Sequence, residues 1–85
     1  MNNQEIRRRN KTYEEAIEQL KKIKVFADKE ITSTNGEITA LQFNDSLLSR
    51  NETIKKIEDE LGDNFKVWND SNHYITYIEL KKLNG

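Results

Sequence analysis

The side chains of this 85-residue chain that could do chemistry are few. It has one histidine, His73, and no cysteine. No Cys–His pair, thiolate metal site or disulfide framework can therefore be assembled. Glu58, Asp59 and Glu60 are consecutive; on a helix they diverge by about 100° per residue and make a solvated face rather than a cation cage. No catalytic residue, metal ligand or cofactor site is expected, and His73 reads as a cross-strand partner of Trp68. The chemistry that remains is recognition: Arg and Lys for anions, Asn for hydrogen bonding, and a small aromatic set for packing or stacking.

The charges are unevenly placed. Lys and Arg number 14 against 15 Asp and Glu, a net charge of −1. Residues 1–29 hold eight basic and five acidic side chains, residues 30–61 three and seven, and residues 62–85 three and three. An anionic partner would be met by patches rather than by a uniform field. At this length one domain with a thin core is expected, and with 34% apolar residues and no cysteine its stability must come from packing. The first residues, MNNQEIRRRNK, lack the apolar stretch of a signal peptide, and no run is long enough to span a bilayer. A cytoplasmic protein without membrane contact is expected. No internal repeat is visible.

The elements follow from spacing. Residues 1–11 carry Arg7, Arg8, Arg9 and Lys11 beside a single apolar Ile6 and read as a basic N-terminal arm preceding a domain over 12–85. Alternatively, since Ile6, Tyr13, Leu20 and Ala27 fall seven apart, the arm extends the next helix. That helix is expected to begin at Thr12, which forms a capping box with Glu15, and to bury Tyr13, Ala16, Ile17, Leu20, Ile23 and Ala27. The Asn35-Gly36 pair is the strongest turn signal. It either closes a hairpin ITST-NG-EITA through a type I′ turn, or leads through one short strand into a helix over 39–48. The second is preferred, because Phe43 and Leu47 would then face helix 1. Alternatively, Asn44 or Asp45 caps a helix starting at Ser46. A further helix has Ser49 and Glu52 at capping-box spacing, or Asn51 as its cap, a stripe of Ile54, Ile57 and Leu61, and an end at Gly62.

The last segment alternates. Phe65 to Trp68 and His73 to Leu80 flank Asn69-Asp70-Ser71-Asn72, and a tight turn there sets Val67 opposite Tyr74. Phe65, Val67, Tyr74, Thr76, Ile78 and Leu80 would face the core. Lys66, Trp68, His73, Ile75, Tyr77 and Glu79 would share the other face, which is unusually aromatic for solvent and is expected to be partly covered.

The order of helix, helix, short strand, helix, Gly62 and hairpin resembles the winged helix-turn-helix family over residues 12 to about 82. Thr39-Ala40 would open the second helix around Phe43 and Leu47, and Thr53, Ile54 and Ile57 would lie in the third. The resemblance implies an α+β fold of three helices with a C-terminal β-hairpin wing, and places residues 50–61 at the recognition-helix position in the major groove. Arg50 would then read guanine and Asn51 adenine, while the outward set Glu52, Lys55, Lys56 and Asp59 carries no net charge. The wing looks the better contact, with Lys66, Trp68, Asn69, Ser71, Asn72 and His73 at the groove, Asp70 as an unfavourable charge, and the arm with Lys81 and Lys82 on phosphates. The expected function is sequence-specific binding of double-stranded DNA by a non-enzymatic regulator of transcription, or by an accessory factor for DNA processing on a mobile genetic element, such as plasmid transfer, excision or replication. The Trp68, Ile75, Tyr77 patch also fits a homodimer interface. The rival reading is a protein-binding inhibitor or adaptor of similar shape that binds no DNA.

Overall fold

The computed structural model describes residues 3–44, 51–70, 72, 73 and 75–81. Helix α1 spans Asn3–Lys22 and buries Tyr13, Ala16 and Leu20, one stripe at three- and four-residue spacing. It does not begin at Thr12. The Thr12 hydroxyl instead donates to the Arg8 carbonyl at 2.9 Å, the i−4 bond that lets a threonine sit inside a helix. Arg7 to Lys11 are therefore helical, as the seven-residue spacing of Ile6 and Tyr13 allowed.

The end of α1 is specified by backbone hydrogen bonds. Val25 N–H donates to Leu20 at 2.9 Å and Lys24 N–H to Lys21 at 3.0 Å, the pair that defines a Schellman cap. Lys24 occupies the left-handed position at φ 61, where glycine is usual. Leu20 is buried and Val25 packs on the same core, the apolar contact that accompanies such caps.

Strands β1 (Lys29–Thr32) and β2 (Ile38–Phe43) form the first hairpin. The helix expected over 39–48 is thus replaced by strand through residue 43, while residues 45–50 lie outside the described set. The reason is local. Ile38 and Thr39 are β-branched, and Leu41 and Phe43 both enter the core at a spacing of two. The Asn35-Gly36 turn is a hairpin turn, but not of type I′, since Asn35 does not take positive φ. Gly36 N–H bonds Ser33 at 3.0 Å, Ser33 N–H bonds Glu37 at 2.8 Å, and Gly36 sits at φ 87. A register shift between Ile31 and Thr32 absorbs the extra residue.

Helix α2 (Asn51–Leu61) buries Ile57 and Leu61 and packs Ile54 on the core. The chain then turns at Gly62, at φ 73, the helix-ending conformation anticipated there. The possible cap Ser49 is outside the described residues. After a short 3-10 turn come β3 (Phe65–Asp70) and β4 (Ile75–Leu80). The second hairpin pairs Phe65 with Leu80 and Asp70 with Ile75, so Val67 faces Ile78 instead of Tyr74. The difference of four residues is even, so the described strand residues keep their expected faces, while His73 lies in the turn before β4.

The sheet runs β1-β2-β4-β3 with every pair antiparallel. Helix, strand, strand occurs twice in succession, and the two units meet where β2 pairs β4. Both helices cover one side, and Tyr13, Leu20, Leu41, Ile57 and Ile78 are fully buried between the layers. The fold is thus α+β, with two α-helices among the described residues.

Candidate binding surface

Among the described residues, no helix covers the opposite side of the sheet. Because Val67 and Ile78 point into the core, their neighbours Trp68 and Tyr77 point away from it. Lys29, Gln42, Tyr77 and Trp68 are paired in turn across β1, β2, β4 and β3, forming one row on this outer face. The Trp68 and Tyr77 rings stack with centroids 4.5 Å apart at 24°, and Trp68 is 39% exposed. The Trp68 indole N–H donates to the Glu79 carboxylate, whose Oε2 also lies 3.7 Å from Lys66 Nζ. The indole is therefore held in place by stacking and by a charged acceptor.

One end of this face opens into a cleft. β2 and β4 pair at Leu41–Ile78, Gln42–Tyr77 and Phe43–Thr76; the same register would bring Thr39 opposite Leu80. Instead the Tyr13 hydroxyl stands between them, donating to the Thr39 carbonyl at 2.9 Å and accepting from Leu80 N–H at 2.8 Å. Burial pushes the Tyr13 phenol above its ordinary pKa, against the opposing pull of the Leu80 bond. Asn10, one turn earlier, accepts from Ile38 N–H at 2.8 Å and donates to the Gly36 carbonyl at 3.0 Å, docking α1 onto the first hairpin. The cleft beside this seam measures about 420 Å³ and is lined by Arg9, Thr39, Lys66, Glu79, Leu80 and Lys81.

No family model matches this chain, and neither a curated protein nor a solved structure does.

The residues expected to touch DNA are dispersed. Arg7, Arg8 and Lys11 are exposed on α1, and Lys55 and Lys56 on α2. Arg9 is set apart from its neighbours: its Nε lies 3.0 Å from Glu37 Oε1, and it reaches the cleft beside Lys66. Asn69 is not a tip residue. It lies within β3 opposite Thr76, on the side covered by helices, with the Thr76 hydroxyl 3.4 Å from its Oδ1. Asn72 and His73 are exposed at the turn, about 13 Å along the strands from the Lys66–Glu79 pair at 3.3 Å per residue. His73 is therefore not the partner of Trp68, which is Tyr77. Arg50, Ser71 and the side chain of Asn51 lie outside the described residues.

Asp70 and Glu79 escaped the sequence reading of the site, and Tyr77 was placed in the patch without its stacking role. Asp70 organises the turn instead of spoiling it: Oδ1 accepts from Asn72 N–H at 3.1 Å and Oδ2 from His73 Nδ1 at 2.8 Å. The His73 hydrogen bond holds its carboxyl below the ordinary value. An Asp two residues before a free N–H was the available signal, since Asx turns have that spacing. Tyr77 and Glu79 shared a face with Trp68 by alternation alone, and only the observed register makes one its stacking partner. Phe26, 62% exposed, leads toward β1, the edge opposite β3, and is not part of this patch. No described helix is long and apolar enough to cross a membrane, and no described cluster of His, Asp and Glu could hold a metal ion.

Proposed function

We propose that this protein is a non-catalytic binding module that takes a protein partner on the uncovered face of its sheet. The observation that supports this reading is the stacked Trp68–Tyr77 pair on that face, across the inner strand β4 and the edge strand β3. Aromatic anchors surrounded by polar groups are the composition of interface cores. The outward charges cancel, with Lys29 and Lys66 against Asp70 and Glu79, so a polyanion gains little from this surface while a mixed protein surface loses nothing. Panning short random peptides displayed on phage against the protein tests the reading. Selected peptides should lose affinity by about tenfold or more on Trp68→Ala, as expected for an aromatic anchor, and should shift the NMR signals of Trp68 and Tyr77. Peptides that bind the helices, or that ignore Trp68→Ala, would overturn it.

Sequence-specific binding of duplex DNA, by a regulator or accessory factor, is the second reading. It is favoured by Arg7, Arg8 and Lys11, exposed on successive turns of α1 where a helix crossing a duplex would meet phosphates. On that reading α2 is the recognition helix and β3–β4 the wing of a winged helix-turn-helix, with β2 standing where its second helix would begin. The reading is weakened by that strand and by the exposed acids Glu52, Glu58, Asp59 and Glu60 of α2. Titrating random duplex DNA across salt separates the two, because phosphate binding weakens steeply as salt rises.

A further inference from the structure

We infer that the cleft beside Trp68 receives an acidic side chain of the protein partner, so that the surface recognises a bulky apolar residue followed by Asp or Glu. The inference rests on the protein-binding reading above and specifies the partner's chemistry.

Charge and satisfaction of hydrogen bonds both point this way. Of the four charged residues lining the cleft, Arg9, Lys66 and Lys81 are cationic and only Glu79 is anionic. Glu79 is already engaged, accepting the Trp68 indole N–H and lying 3.7 Å from Lys66. Glu79 and Lys66 thus offset each other and Glu37 offsets Arg9, so the positive excess of the cleft falls on Lys81. Arg9 is held close by its pair. Its Nε is buried and has no hydrogen-bond partner among the described residues, although Glu37 Oε1 lies only 3.0 Å away. The Nε is thus turned to Glu37 and closed to a ligand, and the guanidinium can meet one only through its terminal amino groups, which carry four of its five donors. A carboxylate is the natural complement, since a guanidinium presents its N–H groups as a planar fork that matches two carboxylate oxygens.

Position agrees with charge. The cleft lies where β2 and β4 have stopped pairing beyond Leu41–Ile78 and the Tyr13 hydroxyl bridges Thr39 and Leu80. Its volume of about 420 Å³ admits a glutamate side chain with room to spare, so charge rather than size does the selecting. Lys66 and Glu79 belong to both the cleft and the aromatic face. An apolar residue on Trp68 and an acid in the cleft are therefore within reach of one short segment.

The test uses two displayed libraries of short random peptides, one with all residue types and one without Asp and Glu. The complete library should yield binders bearing an acid beside an aromatic or branched apolar residue, and the acid-free library should yield none of comparable affinity. Replacing that acid by its amide, or making Lys81→Gln, should weaken binding by about tenfold, the effect of losing roughly 1.4 kcal/mol. Lys81 is exposed, so Lys81→Gln should fold normally, and a circular dichroism melt checks this. Arg9→Gln should act in the same direction, with Arg9→Lys restoring part of the loss. Peptides that need Trp68 but are indifferent to the acid, to Lys81 and to Arg9 overturn this inference and leave the protein-binding reading standing. If no selected peptide depends on Trp68, both fail. Duplex DNA that competes for the cleft and loses affinity on Lys81→Gln also overturns it, in favour of phosphate.

Discussion

Removing one oxygen atom, by Tyr13→Phe, tests how the two halves of the sheet are joined. The ring should stay, because it is fully buried and meets Phe65 edge-on at 5.8 Å and 72°. What is lost is the bridge between Leu80 N–H and the Thr39 carbonyl. Two hydrogen bonds contribute about 0.5–1.5 kcal/mol each, and a buried donor left alone costs more than the bond itself. A loss of about 2–3 kcal/mol is expected, from a total of about 4–13 kcal/mol for a domain of this size. Urea titration should show a lower midpoint at unchanged slope, and the thermal midpoint should drop by roughly 10–20 °C. The difference should also depend on pH. The folded-state pKa of Tyr13 is raised above the ordinary 10.0 by burial, so its contribution is complete below that value. It is lost as pH rises through the raised one, because the unfolded phenol then ionises and the folded one resists. The gap between wild type and Tyr13→Phe should therefore close above pH 10.0. A variant within about 0.5 kcal/mol of wild type at neutral pH would refute the bridge, since that is below the net value expected for even one such bond.

Two further outcomes follow from local geometry. Lys24→Gly should stabilise the protein by about 1 kcal/mol in the same urea titration, because Lys24 holds a left-handed conformation that costs a non-glycine residue about that much. A loss of stability would mean that the lysine side chain contributes something the cap geometry does not show. Asp70 should titrate below the ordinary 3.8, chiefly because His73 hydrogen-bonds its carboxylate. Its contribution to the turn is then present above 3.8 and lost as pH falls through the lowered value. His73→Ala should move the carboxyl 13C titration of Asp70 upward, and an unmoved midpoint would disprove the contact.

Much of the second hairpin was legible because faces depend only on parity. A register wrong by four residues still sends Phe65, Val67, Thr76, Ile78 and Leu80 inward and Trp68, Tyr77 and Glu79 outward, since side chains alternate with a period of two. The stripe of α1 as far as Leu20 and the stop at Gly62 were equally readable, being set by local geometry, but Ile23 and Ala27 continue the spacing past the helix end at Lys22, where the left-handed Lys24 turns the chain. Thr12 misled because a threonine three residues before a glutamate has the capping pattern wherever it lies, while inside a helix its hydroxyl bonds backward instead. Residues 39–43 misled for a different reason. Phe43 pairs with Leu47 at helical spacing and with Leu41 at strand spacing, and pattern alone does not choose between them. The deciding partner, β4, lies far along the chain. The cleft was illegible for the same reason: Arg9, Lys66 and Lys81 become neighbours only through tertiary closure.

The seam between the two helix-strand-strand units sets how this sheet must come apart. Each hairpin is closed by a short turn, whereas β2 and β4 share three residue pairs drawn from distant parts of the chain, reinforced by α1 through Tyr13. Contacts of such sequence separation form late and slowly, because the intervening chain must be ordered first. Parting β2 from β4 would expose Leu41, Phe43 and Ile78, all buried in the core, so this seam opens only when the whole core does. Amide hydrogens at Leu41–Phe43 and Thr76–Ile78 that point across the seam would exchange with solvent in concert, after those of the edge strand β1, which is largely exposed.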